Sequence, residues 1–148
     1  MSEIRYSKDL LWVKPYVDAV AEMVPLNRWT SITGYKVPID KVEQCSALIS
    51  KCAGWYRITI RNYRPDYESL GDGKFVKNGH KREYVAVILE NLSHELAHLK
   101  IWEHTPDHLL LQARLLTRMA RQAKKQGLKD TFNRTVYRKI SKEEEEQF

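Results

Sequence analysis

The segment HELAHLKIWEH, residues 94–104, holds three of the chain's five histidines, His94, His98 and His104, with Glu95 directly after the first. His94 and His98 are four apart. On an α-helix that sets them about 40° from each other with one turn of rise between them, so both imidazoles can converge on one ion. Glu95, at the next position, can reach a water on that ion without ligating it. This is the HExxH arrangement, which brings a metal and a carboxylate base to the same water. A catalytic zinc takes three protein ligands and leaves one position open. The favoured third ligand is His104, which precedes a helix cap where the backbone is free to aim it. The alternative is His108, in the first turn of the following helix.

That chemistry needs a helix that carries the first two histidines and then breaks. Over residues 82–102, Val85, Ile88, Leu89, Leu92, Leu96 and Leu99 recur at steps of three and four as one apolar stripe. His94 and His98 lie roughly opposite it, so the core does not claim them. Thr105-Pro106 reads as an N-cap followed by proline in the first turn. A second helix is expected from there to about Gln126, stopped by Gly127, with Leu109, Ala113, Leu116, Ala120 and Ala123 as its apolar stripe. Upstream, WYRITIRNY, residues 55–63, is the clearest strand, with Tyr56, Ile58 and Ile60 alternating with Arg57, Thr59 and Arg61. Residues 64–80 read as a turn-rich loop with a short strand near 74–77. A helix is expected over 14–24, irregular chain over 26–38, and a helix capped by Asp40 running to Cys52. Residues 131–140 read as a strand or an ordered tail.

With 148 residues, 43% of them apolar, the chain can bury a core and is read as one domain rather than a disordered chain. The N-terminus, MSEIRYSKDLLWVKPYVDAV, lacks the basic-then-apolar pattern of a signal peptide. No stretch approaches the roughly 18 apolar residues of a membrane span. A cytoplasmic protein with no membrane contact is therefore expected. Cys45 and Cys52, seven apart on the expected helix, would lie about 10 Å from each other, too far to bridge. There is no CxxC pair and so no cysteine zinc site.

The net charge is +6, and it is uneven. From Arg114 to Lys142, ten Lys or Arg accompany a single acid, Asp130, before Glu143–Glu146. Arg114, Arg118, Arg121 and Lys125 recur at steps of four, three and four, one line along the second helix. Such a line suits a polyanion, and nucleic acid bound through residues 114–142 is the candidate partner. No zinc finger or base-reading motif accompanies it.

At HELAHLKIWEHTP the chain resembles the SprT-like zinc metallopeptidases, of the gluzincin type. Their pattern is a helix carrying HELxH, a short excursion, and a third histidine followed by a small or hydroxyl residue and often proline. The lead-in YVAVILENLS is similar to the apolar first half of their active-site helix. The resemblance covers about residues 55–115 and is specific over 84–106. Glu103, and Asp107-His108 where relatives often carry an aromatic, depart from it.

The resemblance implies an α+β, zincin-like fold in which the HExxH helix packs against a small sheet with additional helices. From length and local pattern the chain is expected to be one domain over 1–148: a helical N-terminal part, 1–54, which the resemblance does not reach, a catalytic core, 55–126, and a basic then acidic tail, 127–148. The resemblance implies a bound zinc ion held by His94, His98 and His104, and a protein or peptide substrate. Zinc would bring the pKa of its water to roughly 7, and Glu95 would pass that water's proton to the leaving amine. Tyr84, Tyr56, Tyr63 or an arginine would complete oxyanion stabilisation. An edge strand, with residues 55–63 the natural choice, would pair with the extended substrate. Two other readings stay open. The YbeY-type endoribonucleases space three histidines at zero, four and ten, but generally lack a glutamate after the first. The other is a non-catalytic binding protein whose zinc only ties two helices together.

Overall fold

The alternation that begins at Trp55 runs well past Tyr63. In the computed structural model, which describes residues 4–26, 30–36, 47–52 and 55–126, strand β4 spans Trp55–Gly71. Ile58 and Ile60 are wholly buried on one face, while Arg57 and Thr59 occupy the other. The first half of β4 is flanked on one side by β2 (Ser31–Lys36), parallel to it, and on the other by β3 (Ala47–Cys52), antiparallel. A short β1 (Arg5–Tyr6) extends the sheet beyond β2. The second half of β4 folds back on β5 (Lys74–Arg82) as a hairpin. Its turn is Asp72-Gly73, both with positive φ, 51° and 72°, the combination whose twist matches paired strands.

Several expectations change here. Residues 64–80 form this hairpin: the short strand expected near 74–77 is the start of β5, and the stretch before it, expected to be a loop, is the second half of β4. Residues 31–36, expected to be irregular, are β2, and 47–52, expected to end a helix, are β3. In β3, Ala47 and Ile49 pack toward the core while Leu48 and Ser50 are exposed. Pairing with β4 overrides the segment's helical spacing. Among the described residues, the first 54 therefore supply three strands, and the helix there is a 3₁₀ segment, Lys8–Val13, running into α1 (Lys14–Asp18), shorter than expected. Because β4 lies between β2 and β3, residues 55–63 are not an edge strand; among the described residues β3 is. Asp40, Cys45, Gly127, residues 131–140 and the rest of the tail, 127–148, lie outside the described residues.

The remaining helices are α2 (Val85–Ala97) and α3 (Pro106–Lys125). Ile88, Leu89, Leu92 and Leu96 of α2 form one buried cluster with Ile32, Ile58 and Ile60 of the sheet, Val13 and Val17 of the N-terminal segment, and Leu115 and Met119 of α3. On α3 the buried line is His108, Leu115, Met119 and Ala123. The expected stripe is met in part: Ala123 is buried and Leu116 packs against the core, whereas Ala113 is exposed and Leu109 is 65% exposed. The stripe was traced through alanines, which bury little, whereas Leu115 and Met119 bury far more apolar area.

The entry to α2 is fixed by Glu83, which is almost completely buried. Its carboxylate pairs with the Arg61 guanidinium at 3.1 Å and accepts the Tyr84 N–H at 3.1 Å. The N-terminal segment is tied to the sheet by Asn62 Nδ2, which donates to Asp9 Oδ2 at 2.9 Å. A Cβ at Gly34 would strike that carboxylate, so the close approach needs glycine there. The fold is mixed α+β, and among the described residues no helix is long and apolar enough to cross a membrane.

Candidate metal centre

Helix α2 stops at His98, its C-cap, one turn earlier than the sequence pattern indicates. The chain turns through Leu99–Lys100 and returns over 101–105. Thr105 then caps α3, its Oγ1 accepting the His108 N–H at 3.3 Å. This return carries His104 back to the end of α2.

There the Nε2 atoms of His94, His98 and His104 form a nearly equilateral triangle, with sides of 3.1, 3.2 and 3.3 Å. Around an ion with bonds of about 2.0–2.1 Å and tetrahedral angles, ligand nitrogens lie about 3.3 Å apart. The protonation pattern points the same way. His94 Nδ1 donates to the Gln112 side-chain oxygen at 2.9 Å, and His98 Nδ1 donates to the Ile101 carbonyl at 3.3 Å. Each neutral ring therefore turns a bare Nε2 lone pair into the triangle. Lone pairs facing each other at 3.3 Å repel, and a cation between them turns the repulsion into coordination. Burial of His98, reinforced by the neighbouring imidazoles of His108 and His94, holds its pKa below the usual histidine value. The ring is thus neutral, the form that binds metal.

Gln112 is a neighbour of the histidine cluster that the sequence did not reveal. It lies on α3, eighteen positions from the histidine it orients, and no local spacing links the two. Gln112→Ala is expected to weaken metal affinity by about 10–100-fold while leaving the fold intact. A metal titration with circular dichroism on the same samples checks both halves.

His94 and His98 also share a second triad, with His108, whose candidate ligand atoms lie within 4.8 Å of one another. It is the looser of the two sets. His108 Nε2 donates to the His94 carbonyl at 3.1 Å, and its ring stacks on His98 with centroids 4.1 Å apart. His108 is 2% exposed, and burial lowers its pKa. The structure therefore brings all four histidines together, with three Nε2 atoms converging and the fourth already engaged by a backbone carbonyl.

Glu95 is 5% exposed and lines one cleft with His94, His98, His104, Trp102 and residues 47–49 of the β3 edge. The cleft encloses about 310 Å³. Burial pushes the Glu95 carboxyl up to about 7, against the opposing pull of His104. In metal-free protein this has a stability consequence. Below pH 4.5 the carboxyl is protonated whether the chain is folded or not, and it contributes nothing. Between 4.5 and about 7 the unfolded chain releases the proton and the folded chain keeps it, so stability falls as pH rises. The full penalty, about 3 kcal/mol, is present above that window. Metal-free Glu95→Gln should therefore match wild type in melting temperature at pH 4 and exceed it at pH 8. An offset that does not change with pH would contradict this.

Of the oxyanion candidates, Tyr84 precedes α2 and sits ten residues from His94, about 15 Å along the helix, too far to act. Tyr56 contacts the Trp102 ring at 6.2 Å, and Trp102 in turn contacts His98 at 5.9 Å. The Tyr63 side chain is outside the described residues. Of the basic line, Arg114, Arg121 and Lys125 are exposed, whereas Arg118 is half-buried, paired with Glu22 at 2.7 Å and donating to the Ala19 carbonyl. No protein-family model, no curated protein and no solved structure matches this chain.

Proposed function

We propose that this protein is a zinc-dependent peptidase of zincin-like architecture, its ion held by His94, His98 and His104. The observation that carries the reading is the convergence of three imidazole Nε2 atoms, all within 3.3 Å of one another, beside a buried carboxyl group. Three imidazole ligands with an open side suit zinc in its hydrolytic form. When bound, the ion supplies Lewis acidity that makes water a nucleophile near neutral pH. The chain's own residues do the rest. Glu95, with its pKa near 7 in the absence of that charge, accepts a proton from the attacking water and returns it to the leaving amine. Gln112 and the Ile101 carbonyl hold the two α2 rings in register, and His108 braces His98 from behind. His108 remains the alternative third ligand.

The choice of peptide over other substrates rests on β3. Its residues 47–49 form one wall of the cleft, and among the described residues β3 is paired on one side only, by β4. An extended peptide laid along that edge satisfies its main-chain groups and brings a backbone carbonyl past the histidines. The exposed Arg114, Arg121 and Lys125 lead away from Gln112 along α3 and favour a substrate associated with a polyanion such as nucleic acid. Incubation with an unfolded protein and with RNA, each with and without chelator, tests the reading. Peptide cleavage abolished by chelation and restored by zinc is expected. RNA cleavage with protein left intact would make the same centre an endoribonuclease. Bound metal with neither activity would leave it a structural tie.

A further inference from the structure

The cleft beside the histidines has two unlike halves. One carries His94, His98, His104 and Glu95. The other is built from Ala47, Leu48 and Ile49 of the β3 edge and from Trp102. This second half holds no charged side chain and, apart from the indole N–H, no hydrogen-bonding one. It is also open: Trp102 is 46% exposed and Leu48 is 41% exposed. Trp102 stands on the return that carries His104, its ring centroid 5.9 Å from that of His98 and 6.2 Å from that of Tyr56. Those two rings steady the indole and still leave nearly half of the residue uncovered. Large apolar side chains left open at the mouth of a cleft mark a place where apolar groups bind.

The pairing of β3 indicates where such a group would come from. Ala47 and Ile49 lie on the core side of the sheet, opposite Ile60 and Ile58 of β4. A peptide laid along the edge of β3 that is unpaired among the described residues alternates its side chains between the two sides of the sheet. Those on the core side share that side with Ile49 and meet the apolar half of the cleft. A charged or amide side chain there would give up water and find no partner. A leucine or phenylalanine side chain would instead cover the indole. We propose that Trp102, with Ile49 and Leu48, forms a subsite that selects a bulky apolar residue next to the scissile bond, so that the substrates are unfolded segments carrying leucine or aromatic side chains. The inference rests on the zinc-peptidase reading and adds to it which side chain the cleft accepts.

Two hydroxamic acids separate this subsite from the metal. Acetohydroxamic acid and phenylacetohydroxamic acid share one zinc-binding group and differ by a phenyl ring. Calorimetric titration of each into zinc-loaded protein should show the phenyl compound binding about tenfold more tightly. In Trp102→Ala that ratio should fall toward one, and Trp102→Phe should restore most of it. Mass-spectrometric mapping of the cuts made in an unfolded protein should place leucine or aromatic residues beside the cleaved bonds, a preference that Trp102→Ala loses. A ratio near one in wild type overturns the subsite. So does a ratio that Trp102→Ala leaves intact while weakening both compounds alike, which would make Trp102 only a support for His98. If neither compound binds zinc-loaded protein, the open metal position itself fails, and this inference with it. The expected ratio without any cleavage of protein would uphold the apolar subsite and overturn the peptidase reading.

Discussion

Glu95→Gln should bind zinc as wild type does and hydrolyse its substrate about 10²–10⁴-fold more slowly. The substitution keeps the shape and volume of a side chain that is 5% exposed, and it removes only the ability to take a proton. Glu95 is not a vertex of the imidazole triangle, so metal content should not change. Gln is also neutral, which relieves the cost of burying a carboxylate. The variant should therefore be at least as stable as wild type at neutral pH, and loss of turnover cannot be ascribed to unfolding. Retained activity in the metal-loaded variant would remove Glu95 from the mechanism.

The second large effect separates His104 from His108. A ligand that binds only the folded state stabilises it by about 4 kcal/mol at a thousandfold excess over its dissociation constant, so zinc should raise the wild-type melting temperature markedly. In His104→Ala that shift should be almost lost. Two Nε2 atoms remain, and the fourth histidine has its own Nε2 occupied by the His94 carbonyl. His108→Ala should behave in the opposite way. Its metal-free melting temperature should fall, since a buried ring and its hydrogen bond are removed at a cost of about 1–3 kcal/mol, but the zinc-induced shift should persist. If His108→Ala loses the shift and His104→Ala keeps it, the ligands are instead His94, His98 and His108.

How much of this was legible in the sequence depended on the range of the forces involved. The His94–His98 pair and the helix beneath it were readable because both follow a period set by one helix. The Thr105 cap was readable because capping is a local hydrogen bond. β2 was not, because its strand state comes from pairing with β4, a partner distant in sequence; β3 pairs with the adjacent start of β4, Cys52 opposite Trp55, but its own residues follow a helical spacing. The hairpin was missed for a different reason. Asp72-Gly73 is a strong turn signal, and it was read as the middle of a loop because the flanking residues alternate weakly and Tyr67, Leu70 and Phe75 stay exposed. Mistaking β4 for an edge followed from missing its neighbours. Gln112 and the carbonyl partner of His108 could not be read at all, since each depends on how α3 folds back over α2. The apolar half of the cleft likewise appears only once the β3 edge and Trp102 are brought together.

The most direct test of the central claim is X-ray absorption at the zinc edge on protein loaded with one equivalent of the metal. The expected result is a coordination shell of three imidazole nitrogens and one oxygen at about 2.0–2.1 Å, falling to two imidazoles in His104→Ala. A shell containing sulfur, a spectrum unaffected by loss of His104, or protein that takes up no zinc would contradict it.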